Sequence, residues 1–143
     1  MENDSWELQQ ISDFVYLLRK AGESKTILQH RFKKDQAALR ILYELIEKLD
    51  ELGYEDGISF GFGSHRLDTI RNHGDLGLIE IRVKDTLWRV FTHWSRRKKV
   101  LVILDAYKAH RHTTTEKEAK LVLPRARQAK KLVEEIDLND DEN

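Results

Sequence analysis

The sequence predicts an α+β fold in which a small antiparallel sheet packs against N-terminal helices and a C-terminal helix follows. Three observations carry this. From Lys34 to Leu52 the apolar residues Ala38, Leu42, Leu45, Ile46, Leu49 and Leu52 recur at the spacing of an amphipathic helix. From Ile79 to Tyr107 the period falls to two: Ile79, Ile81 and Val83 alternate with Glu80, Arg82 and Lys84, and Trp88, Val90 and Trp94 with Arg89, Phe91 and His93, before the apolar run from Lys99 to Tyr107. The connections between these strands, Lys84-Asp85-Thr86 and Ser95-Arg96-Arg97-Lys98, are too short for a crossover, so neighbours pair antiparallel as a meander.

Taken in order, Glu7 to Lys20 reads as a first helix with Leu8, Ile11, Phe14, Val15 and Leu18 on one side, and a short strand around Trp6 is the alternative. Ala21-Gly22-Glu23-Ser24 reads as a break. The helix from Lys34 to Leu52 has Asp35 as N-cap and Gly53 beyond its last turn. From Gly53 to Gly77 there are six glycines, a loop-like texture with one short strand around Ile58 to Phe62; no Gly-x-Gly-x-x-Gly with a strand before and a helix after is present, so a nucleotide-binding loop is rejected. In the meander, with Ile79, Ile81, Val83, Trp88, Val90 and Trp94 turned to the helices, Arg82 and Arg89 share the opposite face. Thr115 and Glu118 form a capping box for the last helical segment, which Pro124 either kinks or divides into two helices.

At 143 residues with 40% hydrophobic content, the chain suits one domain over 1–133, followed by an acidic, polar tail over 134–143. The absence of cysteine removes disulfides and Cys-based zinc sites and fits a cytoplasmic location. The first residues are acidic and lead into no apolar stretch. The longest aliphatic run, Val100 to Leu104, is far below the roughly 20 residues of a membrane span, so no membrane partner is expected.

Charge is neutral in sum but divided along the chain. Residues 1–81 carry 10 Lys/Arg against 15 Asp/Glu, residues 82–131 carry 15 against 4, and residues 132–143 carry none against 6. A basic middle segment set on strands and a following helix is the electrostatic footprint of a polyanion site. Arg82 and Arg89 suit phosphate neutralisation, because a guanidinium stays charged and offers a planar fork; pairing with Glu80 or Asp105 is their structural alternative. His110 and His112 titrate near neutrality and are candidates for proton transfer, with Lys108 as a phosphate contact or base. Tyr107 and Trp88 could stack on a base, although strand aromatics more often belong to the core. Arg96, Arg97, Lys98 and Lys99 form a basic turn able to hold RNA by counterion release. His110-x-His112, with His93 or Asp105, lacks any wider ligand signature, so neither metal nor cofactor is expected. His30, His65 and His73 read as surface residues.

Leu76-Gly77-Leu78-Ile79-Glu80-Ile81-Arg82, then Trp88-Arg89-Val90-Phe91, then Leu101-Val102-Ile103-Leu104, then Tyr107-Lys108 and a Thr/Glu-started helix resemble the RelE/ParE toxin superfamily, closest to its HigB-like, phage-derived branch. That branch typically reads Gly-Leu-x-Glu-Leu-Arg, an x-Tyr-Arg-Val strand, an aliphatic strand, and Phe-x-Lys-Lys-Thr-x-Lys-Thr-Pro before the last helix. The resemblance covers about half the chain. It implies a RelE-like domain acting as the toxin of a type II toxin-antitoxin pair, with a cognate, DNA-binding helix-turn-helix antitoxin as partner. It further implies either cleavage of messenger RNA on the ribosome or, as in the ParE-like branch, poisoning of gyrase; a plain RNA-binding module is a third reading. By motif, Arg82 and Arg89 match the family arginines, and Lys108 to His112, Arg111 included, matches the basic stretch after the last strand. Trp88 stands where Tyr is usual, and Ala109 to Thr115 replaces the Lys-Lys-Thr-x-Lys-Thr-Pro signature.

Overall fold

The computed structural model describes residues 5–70, 73–109 and 116–136. His110, Arg111, His112, the Thr115 half of the capping box and the tail beyond residue 136 lie outside the described residues. Strands β1 (Trp6–Gln10), β2 (Val15–Lys20), β3 (Leu67–Thr69), β4 (Leu78–Arg82), β5 (Trp88–Ser95) and β6 (Val100–Lys108) form one mixed sheet in the order β1-β2-β6-β5-β4-β3. Every neighbouring pair is antiparallel except β2 with β6. Helices α1 (Ile27–Arg31), α2 (Gln36–Leu52) and α3 (Tyr54–Gly63) fill the connection between β2 and β3, and α4 (Glu116–Leu121) and α5 (Leu123–Glu134) close the described chain. The α+β class and the β4-β5-β6 meander agree with the sequence reading; the sheet is wider than expected, with six strands, and mixed rather than antiparallel, because β2 joins β6 in parallel. No helix among the described residues is long and apolar enough to cross a membrane.

The sheet is buried on both faces, which explains its pattern. Val15, Leu17, Ile79, Ile81, Val90, Leu101 and Ile103 pack against Leu42, Leu45, Ile46 and Leu49 of α2. Leu18, Leu78, Phe91, Val100, Val102 and Leu104 pack on the other side with Ala126, Ala129 and Val133 of α5. Burial of each large aliphatic is worth roughly 1.5–3 kcal/mol, so the two clusters together fix which strand faces look up and down. Pro124 occupies the first turn of α5, where its missing N–H costs nothing, and the segment is divided into two helices as the second alternative required.

Two sequence expectations are corrected. Residues 7–20 are not a helix but the β1-β2 hairpin, closed by Ile11 and Ser12 N–H donating to Val15 O. Val15 and Leu17 face one core and Leu18 the other, so a strand apolar on both sides imitates helical spacing. The glycine-rich stretch opens with a helix, since Ile58 to Phe62 lies inside α3, and its short strand is β3, Leu67–Thr69, instead. A Cβ on Gly57 would lie 2.5 Å from the carbonyl oxygen of Leu49, so this glycine lets α3 touch the backbone of α2.

Asp35 caps α2 by accepting from Ala38 N at 3.2 Å, and its other oxygen accepts the indole N–H of Trp88 at 2.9 Å. These bonds, first the one from Trp88, and the positive charge of Lys108 hold its carboxyl below the usual carboxylate range. A depressed folded-state pKa gives stability that is present above the ordinary carboxyl range and lost as pH falls through the depressed value. Asp35→Asn keeps an acceptor but cannot titrate, so thermal melts from neutral to acidic pH should show a shallower loss of stability than wild type. Parallel curves would show that Asp35 carries no such linkage.

Candidate nucleic-acid interface at the end of the sheet

Register assembles the site. Arg82 on β4 lies opposite Arg89 on β5, and Arg89 lies opposite Tyr107 on β6. Three strands thus place Arg82, Arg89 and Tyr107 in one cross-strand row on the face that carries α4 and α5, as alternation predicted for the two arginines. Directly behind the row, Glu80 lies opposite Phe91.

Glu80 is fully buried, and its Oε2 accepts from Arg82 Nε at 3.0 Å while lying 3.7 Å from Arg89 Nε. Arg82 also reaches Asp68 on β3 at 2.8 Å through its terminal nitrogen. Arg89 is only 2% exposed and donates to Trp88 O at 3.1 Å, whereas the Arg82 side chain keeps 35% of its surface open. The two guanidiniums are therefore together but unequal. Arg82 is available to a ligand, and Arg89 lies beneath it as half of a buried ion pair. The pairing alternative raised for both arginines is present, through Glu80; Asp105 instead takes Arg31 of α1 in a two-bond fork of 2.9 and 3.2 Å.

Tyr107 stacks on Phe91 with centroids 5.2 Å apart, and its buried hydroxyl has no hydrogen-bond partner among the described residues. Burial, reinforced by the negative charges of Glu80 and Glu118 and opposed by Arg89 and Arg82, pushes its pKa up to about 12. At neutral pH the group is a phenol, able both to donate and to accept a hydrogen bond. Beside it a cavity of about 410 Å³ is lined by Trp88, Phe91, Asp105, Tyr107, Lys108 and Leu121, among others. Lys108 is exposed at the end of β6.

The other candidates fall elsewhere. Trp88 is 8% exposed, packs on Phe32 at 4.2 Å and gives its N–H to Asp35, so most of its ring is core. The basic turn closes the opposite end of β5 and β6: Ser95 lies six steps along β5 from Arg89, roughly 20 Å at strand rise. There Arg96 lies over Trp94 at 5.4 Å, Lys98 donates to Ile136 O at 2.7 Å, Lys99 pairs with Glu55 at 3.3 Å, and Arg97 is exposed. His93 is buried with Nδ1 against Leu76 O, and burial holds its ring below the ordinary imidazole range. No group of three His, Cys, Asp or Glu among the described residues could hold a metal.

Sequence reasoning did not place Asp68 or Glu118 at the site. Glu80 carried a usable signal, since Glu80-x-Arg82 on a strand puts both side chains on one face; Asp68 and Glu118 sit in elements whose pairing the sequence does not display. No protein-family model, curated protein or solved structure matches the chain.

Proposed function

We propose that this chain is the toxin of a type II toxin-antitoxin pair and acts as a ribosome-associated endoribonuclease on messenger RNA, silenced by a cognate DNA-binding antitoxin that covers the basic face. The observation that carries the reading is the row Arg82-Arg89-Tyr107, which sets an accessible guanidinium, a buried one beneath it and a tyrosine on paired strands leading to Lys108. The order of motifs that resembles the RelE/ParE superfamily supports the same reading.

In this reaction the ribose 2′-oxygen attacks phosphorus, its proton passes to a base, the P–O5′ bond breaks, and the 5′-oxygen takes a proton, leaving a 2′,3′-cyclic phosphate. Arg82 binds the non-bridging oxygens and stabilises the charge that grows on them. Arg89, with Glu80, fixes Arg82 from below. Tyr107, stacked on Phe91, forms the end of the row beside the cavity, and His110, His112 and Lys108 supply the proton transfers. Arg96, Arg97, Lys98, Lys99 and Arg111 contribute charge for ribosomal RNA.

Mapping the 5′ ends of a defined messenger RNA, with and without ribosomes, tests this. Arg82→Ala, which leaves the buried pair in place, should lower cleavage about 10²-fold or more, the usual size of a lost transition-state charge contact. Intact message with wild-type protein would reject the nuclease. One observation favours a second reading: Arg89 is buried and both guanidiniums already hold carboxylates, as in a site that binds without catalysing. On that reading the chain is a non-catalytic inhibitor, gyrase-directed or RNA-binding, and a supercoiling assay would show arrest without cleavage.

A further inference from the structure

At its Arg82 end the row opens into a cleft of about 750 Å³ that no sequence pattern announces. One wall is the turn after α3, Ser64-His65-Arg66, and the other is the β4-β5 turn from Lys84 to Leu87. Both turns are fixed. His65 and Asp85 hold positive φ values of 63° and 61°, and Arg66 O accepts Arg82 N at 2.7 Å, tying the first turn to β4. The lining holds Arg66, Arg82, Lys84 and Arg89 against a single carboxylate, Asp85. Glu80 and Asp68 already balance Arg82 and Arg89. Arg66 and Lys84, by contrast, form no ion pair among the described residues, and they set the net charge of the cleft.

We infer that this cleft binds the phosphodiester backbone of single-stranded RNA, with Arg66 and Lys84 as phosphate contacts. Two cations that form no ion pair among the described residues, one from each turn lining the cleft, suit a chain of phosphates, each contact gaining from counterion release. The row from Arg82 to Tyr107 continues the cleft toward the cavity beside Tyr107. Neither residue touches the Tyr107 hydroxyl, so the pair contributes to binding rather than to bond cleavage. The inference rests on the functional reading above for the identity of the polyanion, and its test reads binding alone.

The probe is a fluorescein-labelled 2′-O-methyl oligouridylate, which lacks the attacking hydroxyl, titrated by anisotropy across a range of salt. Arg66→Ala/Lys84→Ala should weaken binding about tenfold and make the slope of log K against log salt shallower by about 1.4, two single-strand phosphate contacts. Arg66→Lys/Lys84→Arg should restore most of the affinity. Arg127→Ala/Lys131→Ala, the same change of charge on the exposed side of α5, should stay within about twofold of wild type. An unchanged affinity in the cleft variant, an equal loss in the α5 variant, or tighter binding of duplex DNA through the same two residues would each overturn the proposal. Cleft-dependent binding without cleavage of ordinary RNA would support the cleft and reject the nuclease; cleavage with no dependence of binding on Arg66 and Lys84 would do the reverse.

Discussion

Glu80→Ala should cost about 3–5 kcal/mol of stability, the range for removing one partner of a buried ion pair. The reason is Arg89. Its side chain is 3% exposed and its Nε lies 3.7 Å from the Glu80 carboxylate, with only main-chain carbonyls of Trp88 and Thr86 otherwise accepting from it among the described residues. Without Glu80 a guanidinium remains in a low-dielectric site with no countercharge. Arg82 suffers less, because it keeps Asp68 and a third of its surface in water. Urea unfolding should therefore show a large drop in midpoint at unchanged slope for Glu80→Ala and under about 1 kcal/mol for Asp68→Ala, whose pair with Arg82 is largely exposed. A double variant, Glu80→Leu with Arg89→Met, should recover much of the loss, since an apolar pair of similar volume needs no countercharge. A loss below about 1 kcal/mol for Glu80→Ala would mean that Arg89 does not depend on it.

That pair also shows how far the sequence is legible. Strand alternation places Arg82 and Arg89 on one face without reference to any partner, because the period of two is a local property of extended backbone. It also puts Glu80 on the same face as Arg82. What alternation leaves open is register, which decides that Tyr107 completes the row and that the basic turn lies at the far end of the same strands. Helix α2 is legible for a different reason: it buries one stripe only, and its cap residues Asp35 and Gly53 act within one turn. The misread elements lack such one-sidedness. Strand β2 is buried on both faces, and α3 carries glycines chosen for contact with Leu49 and Leu67 rather than for a turn. The cleft was invisible because Arg66 and Lys84 are brought together by β3-β4 pairing across a connection with no pattern of its own.

Charge division along the chain acquires a spatial meaning from the same topology. The acidic residues Glu44, Glu47, Glu51, Glu55 and Asp56 are exposed on α2 and α3, on one side of the sheet. The cations of the row and cleft emerge at the end of β4, β5 and β6. On the proposed function, a field that is negative on one flank and positive at the strand ends steers the RNA before contact, so association should slow steeply with added salt.

Gly77→Ala should destabilise by about 3 kcal/mol or more. Gly77 ends the short 3₁₀ turn Gly74–Leu76 in the left-handed conformation, φ 56°, where its N–H donates to Gly74 O at 3.1 Å and its carbonyl accepts Trp94 N–H at 2.7 Å. A Cβ there would meet Trp94 O at 2.2 Å and Trp94 N at 3.4 Å. These are main-chain atoms of β5, which cannot rotate aside as a side chain would. Two penalties combine: a left-handed L-residue costs roughly 1–2 kcal/mol, and forced displacement of packed structure typically a further 1–3. Two other glycines separate them. Gly22, φ 88°, has nothing within 4 Å of a built Cβ, so Gly22→Ala carries the conformational term alone. Gly74 has neither a positive φ nor a neighbour in range, so Gly74→Ala should leave stability within about 0.5 kcal/mol, as expected away from packed features. Unfolding midpoints should rank Gly74→Ala above Gly22→Ala above Gly77→Ala. Equal losses at Gly22 and Gly77 would show that β5 yields to the added carbon, and that the start of β4 is looser than its pairing with β5 implies.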